Sequence, residues 1–181
     1  MNRYTSTQIL EEFRRRRFLE PVRNDCVIER SDGADIDTQL MAEIRQWYAT
    51  LIDTAPADWL ATEEVAPDVI MELIPGTGAM SLILPEDVRR VVGISIEGNP
   101  VPVTIITDPE SPLMRLQSNP FTRGGKIRPL AFQHSPRHLT LFAHDSRGNP
   151  PELTSVRVVR LSPDIYQFDN RAWETVPQIK I

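Results

Sequence analysis

Apolar positions along this chain follow two different rhythms. Up to about residue 66 they recur at steps of three and four, as on one face of a helix. From Pro67 onward they alternate in short runs broken by Pro and Gly, as in half-buried strands. The first rhythm predicts a helix over residues 5–20. Thr5 and Gln8 form a capping box, Ile9, Leu10 and Phe13 share a face, and Pro21 stops the run. Residues 22–36 read as irregular, with Asp32-Gly33 at a turn. A second helix begins at Asp37 or Thr38 and runs to about residue 52, with Leu40, Met41, Ile44, Trp47, Tyr48 and Leu51 on one stripe. Residues 57–65 suit a short third helix after Pro56.

The second rhythm predicts strands near 69–74, 79–84, 90–97, 101–107, 128–134, 138–144 and 153–161. Gly98-Asn99 reads as the turn of a hairpin between the strand carrying Ile94 and Ile96 and the one carrying Val101, Val103 and Ile105. Further turns fall at Ser135-Pro136-Arg137 and at Arg147 to Pro150. The tail holds Ile165, Tyr166, Phe168, Trp173, Val176, Ile179 and Ile181 but no regular period. It is expected to lie extended across a neighbouring protein, where "VPQIKI" would add an edge strand; folding back on its own domain is the alternative. The fold class is therefore α+β: N-terminal helices over 1–66, an antiparallel β-sandwich or open barrel over 67–162, and an extended tail over 163–181.

Composition changes this picture little. The 181 residues are 40% hydrophobic and 25% charged, as in ordinary globular chains. The net charge of −5 argues against steering of the whole protein to nucleic acid or an acidic membrane. No apolar run approaches a membrane span. Cys26 is the only cysteine, which excludes an intramolecular disulfide. Lys126 and Lys180 are the only lysines; the other cations are Arg, which suits planar interface contacts.

Candidate chemistry is sparse. "FTRGGKIRP" lacks the spacing of a P-loop, and Gly76-x-Gly78 lacks the third glycine of a dinucleotide site; both read as turns. If the Ser135-Pro136-Arg137 turn is a three-residue hairpin loop, His134 and His138 face each other across the strands, but a third metal ligand is missing, since His144 and Asp145 lie roughly 20 Å along the strand, and the pair reads as two polar residues on a solvated strand face. Glu86-Asp87 looks like the acidic first turn of a short helix. Asp25 beside Cys26 would raise the thiol pKa, and no Ser or Cys sits in a nucleophile elbow. The sequence thus predicts no enzyme, no cofactor and no metal. Arg14 to Arg17 crowd the end of the first helix, either as a solvated face or as a cationic patch acting in assembly rather than folding.

Two segments carry a family resemblance. Leu84-Pro85-Glu86-Asp87-Val88-Arg89-Arg90-Val91-Val92 and Asn119-Pro120-Phe121-Thr122-Arg123-Gly124-Gly125, the latter followed by Arg128-Pro129, resemble segments of head–tail connector (adaptor) proteins of tailed phages, of the kind found in phages and prophages of Bacteroides-type bacteria. The resemblance spans about residues 35–160. It implies a helical bundle carrying an inserted β-sandwich, with copies forming a ring below the portal. The implied partners are other copies of the chain, the portal, neck or tail proteins, and DNA passing through the lumen, with no membrane. The implied location is the virion, after synthesis in the bacterial host cytoplasm. Such adaptors return to a long C-terminal helix, whereas Pro163 and Pro177 bracket an irregular tail here. The residues expected at interfaces are Arg14, Arg15, Arg16, Arg17, Arg123, Lys126, Arg128, Tyr166 and Trp173. The alternative function is a β-sandwich module that binds a small ligand or a surface molecule, and an enzyme of unrecognised type is a third reading.

Overall fold

A computed structural model describes residues 1–16, 35–117, 119, 122, 125, 128–143 and 151–177. The fold is α+β, and its sheets do not close into a barrel. The chain divides into two compact units. The first joins Met1–Ala61 to Leu161–Ile181, and the second is Thr62–Arg160, inserted between them.

In the first unit, β1 (Asn2–Thr5) leads directly into α1 (Ser6–Arg16). The capping box forms: the Thr5 N–H donates to Gln8 Oε1 (3.0 Å) and the Gln8 N–H to Thr5 Oγ1 (3.4 Å). α2 (Ile36–Thr54) starts at Asp35, whose carboxylate accepts from the Asp37 N–H, and buries Leu40, Ile44, Trp47, Tyr48, Leu51 and Ile52. The third helix expected over 57–65 shrinks to one 3₁₀ turn, Ala57–Trp59. Leu60 then bridges to Phe168, because a buried apolar residue there gains a strand partner that a solvated helix would lack.

As far as Thr175 the tail packs in cis rather than across a neighbour, while residues 178–181 of the expected edge strand lie outside the described residues. The tail forms the strand Ile165–Phe168, the tenth along the chain, which pairs antiparallel with β1 from Asn2↔Phe168 to Thr5↔Ile165. A 3₁₀ stretch, Asn170–Thr175, follows, started by Asp169. The aromatic side chains explain this packing in cis. Trp47 stacks on Trp173 (centroids 5.4 Å apart, 19° between planes) and meets Phe168 edge-on at 5.3 Å. Tyr48 meets Tyr166 at 5.1 Å, and Tyr4 lies on Phe168 at 5.4 Å. The polar tips are paired: Trp47 Nε1 donates to Thr175 Oγ1 (3.0 Å), and the Gln167 N–H donates to the Tyr48 hydroxyl (3.1 Å). Burial pushes the Tyr48 phenol pKa up. The stripe of α2 is buried by α1 and the tail.

The second unit is two sheets over one aliphatic core. It begins with β2 (Glu63–Glu64), the 3₁₀ turn Ala66–Asp68, β3 (Ile70–Ile74), β4 (Ala79–Ile83), β5 (Val88–Ile96) and β6 (Thr104–Ile106). α3 (Pro112–Gln117), β7 (Leu130–Ser135), β8 (His138–Phe142) and β9 (Leu153–Arg160) complete it, so the tail strand is β10. One sheet has the order β2-β9-β5 and the other β3-β4-β8-β7-β6. Met80, Leu82, Leu139 and Leu141 from the larger sheet share a core with Val91, Ile94, Val156 and Val158 from the smaller. On the other face of the larger sheet, Met114 of α3 packs with Ala79, Ile106, Leu130 and Phe142.

Three local expectations change. The Gly98 turn forms with φ +68°, and the Val103 N–H still reaches the Ile94 carbonyl (2.9 Å). The chain then leaves the smaller sheet: β6 pairs in parallel with β7 in the larger one, so the expected hairpin is a crossover that buries Val103 and Ile106. The register of β5 slips at Val88/Arg90 and Val91/Gly93, which is how Val88, Val91 and Ile94, three apart, all face the core. Pro85 to Asp87 form a turn rather than a helix, since Asp87 is drawn to Arg160 Nη1 (2.6 Å) on β9. The Asp32-Gly33 and Arg147–Pro150 turns lie outside the described residues.

Candidate functional site

The expected interface residues separate into three groups. Tyr166 and Trp173 are 1% and 5% exposed. They are core rather than surface, because the aromatic cluster of α2 supplies the partners expected from a neighbour. Arg17, Arg123 and Lys126 lie outside the described residues. Arg128 is exposed, just before β7.

Arg14, Arg15 and Arg16 are engaged within the first unit. Arg14 pairs with Asp37 and so ties α1 to the start of α2. Arg15 and Arg16 both bind Glu12, each at 2.6 Å, and Arg16 also lies 4.6 Å above the Trp173 ring. The Arg15 and Arg16 contacts hold the Glu12 carboxyl below its usual range. Arg15 keeps 73% of its side chain exposed.

The three-residue loop that would set His134 opposite His138 does not form. A register shift between Gln133 and Ser135 places Ser135, not His134, opposite His138. His134 Nε2 instead lies 2.8 Å from Thr140 Oγ1, and its ring meets Phe132 edge-on. Among the described residues no group of three His, Cys, Asp or Glu could hold a metal. Gly76 and Gly78 both have positive φ, at +75° and +67°, in the tight turn joining β3 to β4, as the turn reading requires. Among the described residues no helix is long and apolar enough to cross a membrane.

Sequence reasoning missed two surface features. The first is a cavity of about 380 Å³ in the first unit, lined by Arg45, Tyr48, Leu161, Ser162, Pro163 and Tyr166. Only proximity brings α2 to residues 161–166, so no local pattern could have signalled it. The second is the outer side of β3. A sheet edge offers unpaired backbone donors and acceptors, and folded proteins usually shorten, charge, bulge or cover it. β2 is two residues long and wholly acidic. β5 is bulged and is met by Val103. β6 has three residues, and its Ile106 is buried. β3 is neither short nor bulged, and no strand covers its outer side among the described residues. It is five residues long in unbroken register with β4, yet Ile70, Met71 and Leu73 are 57%, 38% and 57% exposed. Glu72 is its single charge. The apolar alternation of IMELI was read as a strand, but which strand is an edge is set by sheet order.

No family model matches this sequence, and no curated protein matches it.

Proposed function

We propose that this chain is a non-enzymatic virion structural protein whose copies form a ring at the portal, at the head–tail junction. The observation that carries this reading is β3, a sheet edge with exposed apolar side chains on both faces, a single charge and no strand partner on its outer side among the described residues. In a monomer such an edge is a liability; in a ring it is an adhesive strip between neighbours. A heterologous contact of this kind closes into a ring when the rotation between copies allows it.

A second support is the discontinuous first unit, which holds the β unit as an insertion. The resemblance to phage connectors likewise implies an inserted β unit, though one carried by a helical bundle. Here a strand and a 3₁₀ stretch complete the first unit in place of a long helix. In this reading the partners are other copies, the portal, and neck or tail proteins, with DNA passing through the lumen, and the place of action is the virion after synthesis in the host cytoplasm.

Immunogold labelling of particles released by a host carrying the gene tests the proposal. Label is expected where the head meets the tail. Particles without label, or labelled elsewhere, contradict it. The alternative, a module binding a small ligand or surface molecule, draws support from the cavity beside Arg45 and Tyr48. A monomer that binds such a ligand and is absent from particles would favour that alternative.

A further inference from the structure

We propose that the cavity between α2 and residues 161–166 is a binding site for a small organic carboxylate with an apolar body. The site lies wholly within the first unit and does not depend on the ring reading.

The walls set the apolar half of the ligand. The cavity holds about 380 Å³, within the range of small-molecule sites. Tyr48 and Tyr166 are both buried and meet edge-on, with centroids 5.1 Å apart. Each ring is also held at its tip. The Tyr48 hydroxyl accepts from the Gln167 N–H (3.1 Å), and the Tyr166 hydroxyl donates to the Pro163 carbonyl (3.3 Å). The aromatic wall is therefore fixed before any ligand arrives, which spares the cost of ordering it on binding. Pro163 and Leu161 complete the apolar lining, and Leu161 is left 39% exposed.

The remaining polar groups set the charge. With both phenols bonded to the backbone, the lining side chains left to meet a ligand are Arg45 and Ser162. Arg45 is exposed and forms no hydrogen bond or ion pair with any described residue. It stands three residues before Tyr48, so the two share a face of α2. Ser162 Oγ has only a long contact, from the Asp164 N–H (3.5 Å), and keeps its own O–H to donate. A guanidinium donates and cannot accept, so the polar end of the ligand has to be an acceptor, and the full charge of Arg45 selects an anion. A carboxylate fits the guanidinium fork through two parallel hydrogen bonds. A phosphate monoester would bring nearly two charges to one cation among apolar walls and leave part of its charge unpaired. Asp164, the acidic residue nearest in sequence, does not line the cavity.

The experiment is an amide-resolved NMR titration of the full chain with two acids, phenylbutyrate and hexanoate, and with phenylbutyramide as the neutral counterpart. Both acids are expected to shift the Leu161, Ser162 and Gln167 signals to saturation. Phenylbutyramide should bind roughly tenfold more weakly than phenylbutyrate, the factor that a charge-assisted hydrogen bond supplies at a partly open site. Arg45→Gln should bind acid and amide alike at an unchanged melting temperature, and Arg45→Lys should keep part of the preference. The proposal is overturned if neither acid shifts those signals, if the parent chain binds acid and amide equally, or if the preference for acid survives in Arg45→Gln. Binding of the acids leaves the ring reading in place, since that reading stands or falls on the labelled particles.

Discussion

The two units bury different chemistry across different sequence distances. The second is aliphatic: its core is mostly Val, Leu, Ile and Met, contributed largely by the antiparallel neighbours β4 and β8 in one sheet and β5 and β9 in the other. The first is aromatic: Tyr4, Phe13, Trp47, Tyr48, Tyr166, Phe168 and Trp173 form a connected set of ring contacts drawn from both ends of the described chain. A large ring buries much area for few fixed torsions, so a few of them hold the tail without a long helix. The units also differ at their surfaces. Edge strand β1, paired with β10, reads Asn-Arg-Tyr-Thr, whereas edge strand β3, paired with β4, reads Ile-Met-Glu-Leu-Ile.

Removing one of these rings is the harshest test of that contrast. Trp173→Ala should cost about 3–5 kcal/mol, measured by denaturant unfolding followed through tryptophan fluorescence. An unchanged midpoint would return the tail to the role of an assembly arm. Leu82→Ala, in the core of the second unit, should cost about 3 kcal/mol. A loss below about 1 kcal/mol there would mean that the aliphatic core collapses around the gap, unlike the aromatic one.

The link from β2 to β9 sharpens the comparison through pH. Burial tends to raise the Glu64 pKa, but hydrogen bonds from Ser155, Val156, Ala66 and Val65 outweigh it and hold the pKa below its usual value. A depressed carboxylate stabilises the fold fully above its unfolded pKa, near 4.5, and that contribution is lost as pH falls through the lower folded value. Glu64→Gln should therefore lower stability by about 1 kcal/mol at neutral pH, allowing for solvent exposure, and flatten the acid limb of the stability curve. An acid limb identical to that of the parent chain would remove Glu64 from this role. Arg15→Glu should change the melting temperature least, because its pair with Glu12 is open to water. A larger loss would show that the end of α1 is held more tightly than its exposure suggests.

The same contrast explains what could be read from the chain alone. Strands of the second unit announced themselves within a few residues each: IMELI, AMSLI and HLTLF carry their own alternation and are bounded by Gly or Pro turns. The Thr5–Gln8 cap and the α2 stripe were legible for the same local reason. β1 and β10 were not, since four-residue strands at opposite ends of the sequence are defined only by each other. Trp173 looked like an exposed anchor because its partner Trp47 lies on a helix far away in sequence. The crossover at Val103 was hidden because an alternating run does not say which of two sheets it joins. The candidate site was half visible in this sense: the strand was in the sequence, its position at the edge was not.

That edge carries the functional account, and the mass of the protein in solution tests it most directly. Ile70 and Leu73 are exposed, so Lys at both positions should leave the second unit folded while charging the edge. The account predicts that the parent chain assembles into a high-order species as concentration rises and that the Ile70→Lys, Leu73→Lys variant remains a folded monomer. A variant that assembles to the same mass as the parent would contradict it.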